Sequence, residues 1–149
     1  MGDTPRIVNE PEGIKYWHDL HRELERQGAK CADARVSVQT TSVADPSGKD
    51  WLSMLVTAQR GSSADVRELT LSYRKGDRTI FLDRTPPNWA AQKILPINLC
   101  VAGGGLIVAS CFEELFSPGE LAEELLRFLV GSFGQPQFPD LDDQVEIDL

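Results

Sequence analysis

Soft metal ligands and catalytic signatures are scarce in this 149-residue sequence, which has two histidines and three cysteines. His18 and His21 stand three apart with no HExxH pattern and no cysteine beside them, whereas a zinc site needs three or four converging ligands. They read as solvated or rim histidines, and no metal is expected. Cys31, Cys100 and Cys111 are odd in number and have no CxxC spacing, the usage of reduced thiols in a cytoplasmic protein. Cys100 and Cys111 lie in apolar runs, where free cysteine is usually a small core residue. A cysteine nucleophile would need a histidine brought across the fold. There is no GxSxG elbow, no DxD or paired-glutamate signature and no Walker loop. These absences disfavour an enzyme, and neither a catalytic residue nor a cofactor is assigned.

Long apolar runs are missing too, since a membrane span needs about 18–20 such residues. The start, MGDTPRIVNEPEG, has no basic stretch followed by an apolar one, so no secretory signal is expected. Arg6 stands where myristoylation wants Ser or Thr. Positive charge is in deficit: 15 Lys and Arg against 23 Asp and Glu leave a net −8. That balance opposes a phosphate-contacting surface, so no nucleic-acid partner is expected.

What is present is clearest at Arg67–Asp83. Leu69, Leu71 and Tyr73 alternate with Glu68, Thr70 and Ser72, which places apolar side chains on one face of a strand. Gly76-Asp77 offers a type II′ turn, and closing the hairpin there sets Tyr73 opposite Ile80 and Leu71 opposite Leu82. Arg35–Ser42 and Trp51–Gln59 show strand alternation as well, so four strands arrive in succession, the pattern of an antiparallel meander.

Helices flank them. Asn9, Pro11 and Glu12 form a helix start with a capping box, followed by Ile14, Trp17, Leu20 and Leu24 at helical spacing and by Gly28 as the expected terminator. Ser117-Pro118-Gly119-Glu120 is a stronger start, with Leu121, Leu125, Phe128 and Leu129 as the apolar stripe. Thr85-Pro86-Pro87 predicts a short helix over Asn88–Leu95, with Pro96 ending it. Ile97–Ala102 leans to strand, and Leu106–Phe112 is a buried strand.

The expected fold is α+β. An antiparallel sheet of five or six strands, with its meander core at Arg35–Asp83, carries the N-terminal and C-terminal amphipathic helices on one face. Residues 1–131 make one domain and 132–149 an acidic tail. Asp140, Asp142, Asp143, Glu146 and Asp148 hold five of the eight net negative charges, leaving −3 for the rest. Val145, Ile147 and Leu149 alternate with Glu146 and Asp148, a pattern that can add as an edge strand to this sheet or a partner's. A solvated end that merely aids solubility is the equal alternative. Arg60, Arg67, Arg74, Lys75, Arg78 and Arg84 surround the central strands; a solvated sheet edge with gatekeeping charges is their commoner meaning, and a basic patch covered by the tail is the alternative.

Gly103, Gly104 and Gly105 are the one run that could cradle a phosphate, although a tight turn explains them better. A small acidic cytoplasmic α+β chain without catalytic signatures reads as a protein-binding module, of the immunity, inhibitor or secretion-chaperone kind, that blocks or escorts its partner. The helix–strands–helix order is similar to that of class I type III secretion chaperones, also small and acidic, with one strand more before the break than that architecture implies. A partner with a basic surface is expected through Asp140, Asp142, Asp143, Val145, Glu146, Ile147 and Asp148, and a homodimer is compatible. The alternative is a small-ligand or nucleotide-binding domain using Gly103–Gly105.

Overall fold

A computed structural model describes residues 7–32, 34–60, 66–84, 93–111 and 113–131. Helix α1, Glu10–Ala29, precedes seven strands: β1 Arg35–Val43, β2 Trp51–Gln59, β3 Val66–Arg74, β4 Thr79–Arg84, β5 Lys93–Val101, β6 Ile107–Cys111 and β7 Glu114–Phe116. Helix α2, Pro118–Gly131, follows. The strands form one antiparallel sheet whose spatial order is the chain order, β1 to β7. Both helices cover the same face.

The class is therefore α+β as expected, with seven strands in place of five or six. The additional one is β7. The apolar run expected to be a single strand over Leu106–Phe112 ends at Cys111, and Glu113 takes a positive φ of 63° before the chain turns back. Residues 85–92, most of the expected short helix, lie outside the described residues, and the last three positions of that helix, 93–95, belong to β5. Pro96 sits within β5 rather than ending a helix. Leu99 donates its N–H to Arg78 O at 2.7 Å, so by alternation position 96 faces away from β4. On that side the described β5–β6 pairing runs from Asn98 to Val101.

The hairpin register is as the alternation predicts, with Leu71 opposite Leu82 and Tyr73 opposite Ile80. Its turn is not. Asp77 N–H donates to Arg74 O, so the central pair is Lys75-Gly76 and Gly76 takes φ +91° at the second position. The Arg74 guanidinium holds the Asp77 carboxylate while Tyr73 Oη donates to Asp77 O at 2.9 Å. These contacts favour the longer loop.

Capping boxes close both helix starts. Glu12 N–H donates to Asn9 Oδ1 and Asn9 N–H to Glu12 Oε1; Ser117 and Glu120 repeat the exchange. Gly28 does not terminate α1, which runs to Ala29. It lies inside the helix against β1, where a Cβ would stand 2.7 Å from Val36 Cγ1. The α2 stripe is Leu121, Ala122, Leu125, Leu126 and Leu129; Phe128 faces out, 40% exposed.

The core lies between the helices and one sheet face. Trp17 stacks on Tyr73 with centroids 5.7 Å apart, and Leu20, Leu24, Met54, Val56, Leu69, Leu71, Ile80 and Ile97 are fully buried around them. No helix among the described residues is long and apolar enough to cross a membrane.

Candidate functional site: the open face of the sheet

Strand alternation sends the side chains between the core residues to the other face, which no described element covers. One row follows the register across the whole sheet: Val43, Trp51, Arg74, Thr79, Asn98, Ser110 and Leu115. Beside it run Thr41, Ser53, Ser72, Phe81 and Pro96, then Gln39, Leu55, Thr70 and Asp83. Trp51, Leu55 and Phe81 are half-buried by their neighbours, whereas Val43 and Leu115 are each 58% exposed. Hydroxyls fill the gaps. Ser37 and Thr57 share a hydrogen bond at 2.8 Å, and Thr79 Oγ1 donates to Asn98 Oδ1 at 3.0 Å. The Arg74 guanidinium stands 6.0 Å from the Trp51 ring centroid, a cation–π contact. The face is thus apolar and hydroxylic, suited to docking a surface rather than to enclosing a reaction.

The positions singled out in the sequence scatter. Asp140, Asp142, Asp143, Val145, Glu146, Ile147 and Asp148 lie outside the described residues. The Arg84 side chain also lies outside the described residues, and Arg60, Arg67, Arg74, Lys75 and Arg78 do not form one patch. Arg60 and Arg67 stand at one end of the central strands, while Arg74, Lys75 and Arg78 stand at the other. Arg67 is only 4% exposed and points to the helix side, opposite Ala58. Arg74 is bound to Asp77, and Lys75 Nζ stands 4.0 Å from Asp50.

Gly103–Gly105 form the β5–β6 turn. Ala102 N–H donates to Leu106 O and Gly105 N–H to Ala102 O, with positive φ at Gly104 and Gly105. The turn edges a cleft of about 350 Å³ lined by Glu12, Lys15, Tyr16, Asp19, Gly105, Leu106, Ile107 and Pro118. Tyr16 Oη donates to Phe116 O at 3.0 Å, and burial, ahead of the Glu120 and Cys100 charges, pushes its phenol upward. Asp19 binds both Lys15 and Arg22. The sequence signal for this cleft was the glycine run alone; α1 supplies its other wall.

His18 is exposed on α1 and His21 Nε2 stands 3.5 Å from Glu25. Cys100 pairs with Val108 on the open face, so the sheet separates it from the helix that carries both histidines. Cys111 faces the core, and burial raises its thiol pKa, which works against a thiolate nucleophile. Among the described residues no three His, Cys, Asp or Glu side chains gather where a metal could be held. Comparison with protein-family models, with curated proteins and with solved structures returned no match.

Proposed function

We propose that this chain is a protein-binding module that blocks or escorts a partner protein, with the open sheet face as its principal contact. One observation carries the reading: a seven-stranded sheet covered by helices on one side presents Trp51, Leu55, Phe81 and Leu115 among hydroxyls on the other. Apolar patches with polar rims mark partner surfaces, and Trp and Arg, as at Trp51 and Arg74, are enriched at energetic centres. The expected partner is a protein with a basic rim around an apolar patch, since the chain carries a net −8 and five acids in 132–149. Inhibitor, immunity and secretion-chaperone roles belong to this class, and the cytoplasm is the compartment that its reduced cysteines suit.

Affinity capture from the native host tests it, using the full chain, Leu55→Lys with Phe81→Glu, and a full chain with Asp140, Asp142, Asp143, Glu146 and Asp148 changed to amides. One stoichiometric partner, lost with the face variant and weakened in a salt-dependent way with the amide variant, is expected. Capture untouched by the face variant rejects the face as the contact.

The cleft beside Gly105 favours a second reading, a small-ligand site. Its wall mixes charges, Glu12 beside the paired Lys15 and Asp19, so a small polar molecule fits it. Leu106→Arg, at an exposed position on the rim, tests this without disturbing the turn. Thermal stabilisation by a metabolite that vanishes in this variant supports a ligand site.

A further inference from the structure

We infer that the outer edge of β1 is a homodimer interface, at which two copies join antiparallel through their Arg35–Val43 strands into one continuous sheet. The two sheet edges differ. At one end β7 has three residues, too few to template another strand. At the other, β1 has nine residues in unbroken register with β2, from Arg35 opposite Gln59 to Val43 opposite Trp51, with no bulge. Edge strands are normally blunted by lysine, proline, a bulge or an inward charge. RVSVQTTSV contains none of these and has one charge, Arg35, at its end. The helix layer does not close it off. Helix α1 packs on β1 where Gly28 lies against Val36, while Thr40–Val43 are exposed on both faces.

The occupant follows from charge and symmetry. β1 and β2 together hold 18 residues and the single charge of Arg35, in a chain where 38 of 149 residues are charged. Two copies of net charge −8 repel each other nearly everywhere, and this margin is where they can approach without placing acid against acid. A two-fold axis makes the pairing isologous and antiparallel. Centred on Gln39, it sets Ser37 opposite Thr41 of the second copy, Val38 opposite Thr40 and Arg35 opposite Val43, so no like charges meet. The half-buried Val36 and Val38 gain neighbours, and the exposed Val43 gains the aliphatic stem of an arginine. This inference does not depend on the partner-binding reading: it rests on the backbone edge of β1, whereas that reading rests on side chains of the open face.

Sedimentation equilibrium of the full chain over a concentration series tests it. Wild type is expected to approach the mass of two chains. Gln39 is exposed on the open face, so Gln39→Lys and Gln39→Glu leave the core intact, which circular dichroism and melting temperature check. Each variant sets like charges face to face at the axis and should weaken the dimer roughly three- to tenfold at low salt. Mixing the two should restore association as a one-to-one mixed dimer. A monomeric wild type at ~100 μM, well above the dissociation constant of a specific dimer, overturns the proposal. Variants that dimerise like wild type, or a mixture no tighter than either alone, overturn it as well.

Discussion

At the scale of single residues, Gly13 and Tyr73 decide how closely α1 approaches the sheet. A Cβ on Gly13 would collide with Tyr73 Oη and stand 3.2 Å from its Cζ. Gly13→Ala should therefore destabilise by about 1–3 kcal/mol despite the better helix propensity of alanine. Tyr73→Phe gives up the hydrogen bond to Asp77 O, about 1 kcal/mol. It also removes the atom in closest conflict, so the double variant should be more stable than the two single costs summed; urea unfolding of the four proteins measures the coupling. Tyr73 bears on pH as well. Burial, then the charges of Asp77 and Glu10, lift its phenol from 10.0 to about 12. The folded state holds this proton after the unfolded chain has released it, so stability is intact below pH 10 and falls as pH climbs from 10 to 12. Tyr16, the only other tyrosine, shifts the same way. Absorbance at ~295 nm, the phenolate band, should show no native phenolate near pH 10, and ordinary titration there would refute both placements.

The helix starts and turns belong to the scale of elements. Both capping boxes stand in the sequence as Asn9 with Glu12 and Ser117 with Glu120, because each uses four consecutive residues and no distant partner. Ser117→Ala should cost about 0.5–2 kcal/mol in thermal unfolding, while Ser117→Asp should cost little. The β3–β4 register was legible for the same local reason, but the turn type was not: Tyr73 and Arg74 reach forward to Asp77 and lengthen the loop. Gly28 misled because a glycine near a helix end looks like a stop, whereas here Val36 needs the space. Pro96 misled because proline argues against a central strand, yet alternation from Leu99 turns its missing N–H away from β4.

Across the whole molecule, the two layers make neighbouring residues unequal. Met54 points into the core and is fully buried; Leu55 points to the open face and is half-buried. Met54→Ala should cost about 2–5 kcal/mol by leaving a cavity, and Leu55→Ala less than about 1 kcal/mol in chemical denaturation. Equal costs would mean that something covers the open face in solution. The basic residues dispersed for the same reason of layering: alternation carried Arg67 to the helix side and Arg74 to the open side, although both belong to β3. Their sequence proximity said nothing about a shared patch.

The sequence by itself determined the class, the meander order of the first four strands, the hairpin register and both helix starts, since these rest on alternation, helical spacing and side chains within four residues. Only the tertiary structure decided the number of strands, the place of Pro96, the burial of Gly28 and Arg67, the sheet face that no described element covers and the position of β1 at the sheet edge. Those depend on which strand lies beside which and on what each helix covers, contacts between residues far apart in the chain that no local pattern encodes.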